Sequence, residues 1–169
     1  MNDALQQAYT PGHPADLSAS QAKLESVSAT EHPQCLMCGA ANPFGMKLKF
    51  KVQSDGSVLA VFPCRSLLQS YPEALHGGAI SALLDAAMTN ALFSIGVVAM
   101  TAELTVRFVA PVSLNRIAVV RAAIEKSASG SLYYVRAEIE QDRKLMARAS
   151  AKFLVKGCLY DAHGKQPQR

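Results

Sequence analysis

The chain has 169 residues, of which 50% are hydrophobic and 18% charged, and its net charge is +4. This length fits one compact domain with tails, and so much apolar side chain excludes a fully disordered, collagen-like or low-complexity protein. A surplus of 17 Lys+Arg over 13 Asp+Glu is too mild to imply nucleic acid, while an anionic small molecule stays compatible with it. The charge is uneven: residues 1–34 hold Asp3, Asp16, Glu25 and Glu31 against Lys23, a balance of −3, which leaves +7 for the remainder.

Residues 1–34 are rich in Ala, Ser, Gln and Pro, with Pro11, Pro14 and Pro33 breaking any long pattern. We read them as an N-terminal extension, with a short surface helix over Leu17–Val27 capped by Asp16 and the rest mobile or draped over a partner. Cys35-Leu-Met-Cys38 has the spacing of half a zinc site, but no second pair and no spaced histidine pair follows. A turn with packed thiols is the preferred reading, with no metal expected. His13, His32 and His163 are read as incidental tail residues. Four cysteines without a charged-then-apolar leader at the start of the chain suggest a reducing cytoplasm.

Met46–Val52 alternates apolar residues with lysines, the pattern of a half-buried strand, and Asp55-Gly56 turns it back onto Val58–Phe62. Gly77-Gly78 opens an apolar run to about Ser94 that predicts a helix enclosed by protein. The run continues to Met100, which raises the question of a membrane span. Asp85 and Asn90 lie inside it, and a central Asp costs about 3 kcal/mol to insert, so no membrane is expected. Four more strands follow at Thr101–Phe108, Ile117–Glu125, Leu132–Gln141 and Leu145–Val155, and their short loops suggest antiparallel neighbours. The expected fold is α+β, an antiparallel sheet wrapped around one long central helix. Such a sheet leaves edges and one helix flank uncovered, so a homodimer or larger assembly is expected.

Asp85 is the one ionisable group in the apolar helix, hence costly there unless paired, and is the first catalytic candidate. Ser81 and Thr89 share its stripe and are read as satisfying it. Leu75-His76-Gly77-Gly78 places glycine amides at a helix start, where an oxyanion on a carbonyl carbon would be stabilised. His76 and Asp85 stand nine residues apart, roughly 13 Å along a helix. Antiparallel helices of a dimer would bring Asp85 of one subunit near the Gly77 N–H of the other.

Three blocks in order carry a family resemblance: Cys-Leu-Met-Cys-Gly with Asn-Pro-Phe-Gly-Met (35–46), Leu-His-Gly-Gly-Ala-Ile-Ser-Ala-Leu-Leu-Asp-Ala-Ala-Met (75–88) and Thr-Ala-Glu-Leu-Thr-Val-Arg-Phe-Val-Ala-Pro (101–111). Together they resemble the hotdog-fold thioesterases of the phenylacetic-acid-degradation (PaaI-like) type over roughly Cys35–Val155. The resemblance implies a hotdog domain over 35–156 with a C-terminal tail at 157–169, a dimer usually doubled to a tetramer, and metal-free hydrolysis of acyl-CoA or acyl-carrier thioesters without a cofactor. It implies catalytic roles for the Gly77 amide, for Asp85 as base or nucleophile, and for His76 in orienting the loop or thioester. Gly78 and the Thr101 hydroxyl join the substrate-binding set. Relatives often carry Asn where Ser70 stands, beside Gln69, and Gly where Glu73 stands; Gln69 or Ser70 would have to supply that hydrogen bond.

Two other readings are weighed. A hotdog hydratase or dehydratase usually has an Asp five residues before the His, where this chain has Tyr71, with only Pro72 nearby. A non-catalytic acyl-CoA-binding module is kept open by Ser70, while a DNA-linked sensor is disfavoured because residues 1–34 are acidic and lack a helix-turn-helix pattern. Arg65, Arg107, Arg116, Arg121, Arg136 and Arg148 are candidates to meet coenzyme A phosphates.

Overall fold

The computed structural model describes residues 16–128 and 130–158. Asp16, with a side chain that accepts from the Ser18 and Ala19 amides, starts helix α1 over Leu17–Glu31, four residues longer than the predicted segment. Leu24 is its buried anchor. Residues 1–15 of the N-terminal extension and residues 159–169, to which the sequence assigns mobility or a tail, lie outside the described residues.

The predicted strand over Met46–Val52 keeps its alternation, with Leu48 and Phe50 buried and Lys47, Lys49 and Lys51 exposed, yet only Lys51–Val52 (β1) joins the ladder. Lys47 has φ 55°, a left-handed conformation that interrupts an extended chain. The amides of Met46 and Leu48 go instead to the carbonyls of Leu36 and Met37. After a turn at Gly56, which has φ 79° as an open glycine turn requires, β2 runs over Val58–Pro63.

Helix α2 spans Gly77–Phe93 and buries nearly every residue after Ser81. Leu83, Leu84, Met88, Leu92 and Phe93 are fully enclosed, as are Val120, Val135, Ile139 and Phe153 of the sheet against which α2 packs. Each such side chain contributes about 1.5–3 kcal/mol by leaving water. Among the described residues, no helix is long and apolar enough to cross a membrane.

The remaining strands are β3 (Ala99–Phe108), β4 (Ile117–Ala128), β5 (Leu132–Gln141) and β6 (Lys144–Val155). All pairings are antiparallel, in the order β1-β2-β4-β5-β6-β3. The β4–β5 and β5–β6 hairpins match the expected short-loop neighbours. The expected β3–β4 neighbour pair does not form: β3 pairs with β6 at the far edge, and residues 109–116 carry the chain back across the ends of the strands. That link is fastened on the way, with Val109 and Ala110 donating to the Met146 carbonyl and Asn115 to that of Cys64.

The helix flank expected to stay uncovered is partly occupied by α1, which packs on α2. The α1 side chain of Gln21 also meets the β1 edge, accepting from Val52 N (2.9 Å) and donating to Phe50 O (3.2 Å). One sheet around one enclosed helix is the architecture expected from the pattern.

Candidate active site

The start of α2 is set by a short chain of bonds from the sheet. Gln141, buried at the end of β5, grips Ser113 from both sides, accepting from its N–H and donating to its carbonyl. Across the link, Leu75 N–H donates to Val112 O and Leu114 N–H to Glu73 O, while His76 N–H donates to Leu68 O. The loop ahead of the helix is thus tied to the sheet and to the turn over Ser66–Leu68.

His76 is the N-cap, and its Nδ1 accepts from Gly78 N–H at 2.8 Å. The Gly78 amide, expected to face substrate, is therefore occupied within the chain. A Cβ at position 78 would press on the His76 ring at 3.0 Å, so glycine keeps the cap undistorted. Gly77 is the first helical residue, and its N–H has no intrahelical carbonyl to meet. The Phe108 ring lies against it, 3.5 Å from where a Cβ would stand. Sequence reasoning did not single out Phe108, whose alternating strand pattern carries no sign of proximity to a helix start.

Asp85 is half-buried, and its Oδ1 accepts a 2.6 Å hydrogen bond from Thr101 Oγ1 at the start of β3. The Ser81 and Thr89 hydroxyls, expected to satisfy this carboxylate, donate instead to the backbone carbonyls one turn back, Gly77 O and Asp85 O, both at 3.0 Å. Hydroxyls within a helix readily make that local bond, which leaves the carboxylate to the facing strand. β3 has a bulge between Thr101 and Glu103. An extra residue there bends the edge strand and increases its twist at the point where Thr101 meets the helix.

Gln69 and Ser70 are both exposed. The Ser70 amide donates to Ala74 O at 2.9 Å and its hydroxyl approaches the same carbonyl at 3.4 Å, closing a tight turn. Glu73 within that turn has φ 63°, a conformation that favours glycine. Of the arginine candidates, Arg121 pairs with Asp55 and Ser57, and Arg116 with Asp142. Arg65, Arg107, Arg136 and Arg148 are exposed without an ion pair among the described residues, and Arg107 stands directly across from Arg148 in the β3–β6 ladder.

A groove of about 550 Å³ opens farther along α2, between α1 and the Lys47–Phe50 segment, lined by Leu24, Ser28, Cys38 and Asn90 among others. Burial pushes the Cys38 thiol up to about 11, so it remains protonated at neutral pH and is no nucleophile as it stands.

A family model described as the thioesterase superfamily matches residues 73–147. Among solved structures, the Escherichia coli PaaI protein from the phenylacetic acid degradation operon superposes with a TM-score of 0.70 at 18% identity, covering 84% of this chain and 97% of that one. A phenylacetic acid degradation-related protein of Ralstonia eutropha gives 0.65 at 20% identity, covering 79% and 99%. A hypothetical thioesterase protein with coenzyme A from Streptococcus pneumoniae gives 0.60 at 16% identity, covering 65% and 89%. No curated protein matches the chain in sequence. The chain is a hotdog-fold protein with the architecture of PaaI-like thioesterases, and its residues 73–147 carry the sequence pattern of the thioesterase superfamily.

Proposed function

We propose that the protein hydrolyses acyl-CoA thioesters in a reducing, cytoplasmic setting, acting as a homodimer that doubles to a tetramer, with no cofactor. The observation that carries this reading is the Asp85 carboxylate, placed on the central helix of a thioesterase fold and held by Thr101 at 2.6 Å. The solved neighbour that carries coenzyme A supports the substrate class. The exposed arginines offer cationic partners for its phosphates.

In this mechanism Thr101 fixes one carboxylate oxygen and leaves the other for water. Asp85 takes a proton as the water oxygen attacks the thioester carbonyl, or attacks that carbon itself and is then released by water. The oxyanion that forms is met by the Gly77 N–H at the positive end of α2. Collapse expels the coenzyme A thiolate, which recovers a proton, and frees the acid. His76 acts by holding the helix start in shape. Because His76 and Asp85 are far apart along one helix, amide and carboxylate come from different subunits. The β3 edge would provide that contact, with Met100, Phe108 and Val109 exposed at 45%, 53% and 52%.

Thiol release from acetyl-, medium-chain and arylacetyl-CoA tests the proposal. Turnover that falls at least about a hundredfold in Asp85→Asn, with the dimer intact, is the expected result. Unchanged turnover in that variant would overturn the assignment. The second reading, an acyl-CoA binder without turnover, is favoured by Ser70, whose hydroxyl is turned to Ala74 O where relatives often present an Asn amide. Binding without thiol release across the whole panel would establish it.

A further inference from the structure

The proposed chemistry makes no use of the turn that follows α1, where three donors converge. The His32 ring, Cys35 Sγ and Cys38 Sγ present ligand atoms that all lie within 4.8 Å of one another, and all three residues are half-buried. The backbone builds this convergence: Cys35 N–H donates to His32 O at 3.1 Å and Gly39 N–H to Cys35 O at 2.9 Å, coiling the chain around the two sulfurs. Only glycine fits the coil, because a Cβ at position 39 would lie 2.4 Å from Cys35 N and 2.6 Å from Cys35 O.

The third donor is held in place independently. The His32 ring stands edge-on to Phe93, centroids 4.9 Å apart, with Nδ1 4.0 Å from Cys38 Sγ. Around that sulfur two donors point inward, Asn90 Nδ2 at 3.7 Å and Ser28 Oγ at 4.0 Å. Asn90 is 1% exposed and donates also to Ala86 O, so its amide is fixed toward the sulfur. Hydrogen-bond donors around a sulfur are the outer shell that a metal-bound thiolate requires.

We propose that His32, Cys35 and Cys38 form a binding site for a divalent cation of the zinc class. Two thiolates and an imidazole select a borderline-soft ion over magnesium or calcium. Zinc–sulfur and zinc–nitrogen bonds of about 2.3 and 2.0 Å need tetrahedral ligand atoms about 3.5–3.8 Å apart, so loading draws the widest of these separations in by about 1 Å. Binding releases two thiol protons to solvent and leaves a fourth position for water or a small anion. Cys38 lines the open groove beside α1, which gives the ion an entry path. The loaded site clamps the end of α1 to α2. Sequence spacing alone missed it because the third donor precedes the cysteine pair instead of following it.

The test uses the full chain, reduced, stripped of metal by a chelator and titrated with Zn²⁺ and with Co²⁺ as a spectroscopic probe. One equivalent is expected to bind, with sulfur-to-cobalt charge transfer, and bound Zn²⁺ should protect Cys35 and Cys38 from alkylation. Cys35→Ser/Cys38→Ser and, separately, His32→Ala are each expected to weaken binding at least about tenfold, while Cys64→Ser, at a thiol that meets Phe62 O and Gln141, leaves it unchanged. Circular dichroism of the metal-free variants establishes that they fold. No saturable binding by the reduced chain, a cobalt complex without a thiolate band, or unaltered affinity in both cysteine and histidine variants would overturn the site. A disulfide found between Cys35 and Cys38 under reducing conditions would overturn it too.

Discussion

The two edges of the sheet are finished in opposite ways. At one, β1 is two residues long, and the Gln21 side chain from α1 meets the backbone groups of Phe50 and Val52 beside it. At the other, β3 runs for ten residues, mostly exposed, with its outer backbone groups unmatched by any strand among the described residues. A short, covered edge resists addition of another strand, while a long open one invites it. The open edge also carries Thr101, the side chain that holds Asp85, so the proposed chemistry and the proposed assembly share one edge.

The most severe way to test this division is at Asp85 itself. Asp85→Asn should lose at least about a hundredfold in turnover with an unchanged melting temperature, since the carboxylate serves the open edge and not the core. Next, Met100→Asp places a charge on the open edge and should weaken self-association by about 1–3 kcal/mol, seen as a monomer by sedimentation, with hydrolysis falling alongside. Hydrolysis by an isolated monomer at full rate would separate assembly from catalysis. Thr101→Val removes the hydroxyl donor at the same edge and should slow turnover about tenfold, corresponding to a charged hydrogen bond at the weak end of its range, with Thr101→Ser restoring most of it. At the covered edge, Gln21→Ala should cost about 1 kcal/mol in denaturant unfolding and speed exchange of the Val52 amide, with turnover per folded chain unaltered. Smallest of all, Glu73→Gly relieves a left-handed backbone and should raise stability by up to about 1 kcal/mol without touching either edge.

How much of this was legible depends on how local the signal is. The enclosed helix, the Gly56 turn and the strands from β4 to β6 follow from apolar period and turn residues, which act within a few positions. The Asp16 cap was equally readable. The placement of β3 was not, since a proline-marked link of eight residues serves as well for a hairpin as for a crossing to the far edge. The Thr101–Asp85 contact spans sixteen residues of sequence and depends on that crossing, so only the family resemblance anticipated a hydroxyl there. Ser81 and Thr89 were assigned to the wrong acceptor because shared helical spacing says nothing of the competing backbone carbonyl. His32, read as an incidental tail residue, stands beside Cys38 because α1 extends past the predicted end and delivers it there.

The bulge in β3 also bears on solubility. A long, flat, partly apolar edge would accept almost any extended peptide and continue growing into a fibre. By inserting one residue between Thr101 and Glu103, the strand bends at a fixed point along its length. A strand joining this edge must then match the bend to keep its hydrogen bonds in step, a condition that a second copy of the same strand can meet and that a generic peptide lacks. In the proposed dimer one extra residue, Ala102, would thereby make the open edge selective for its own kind.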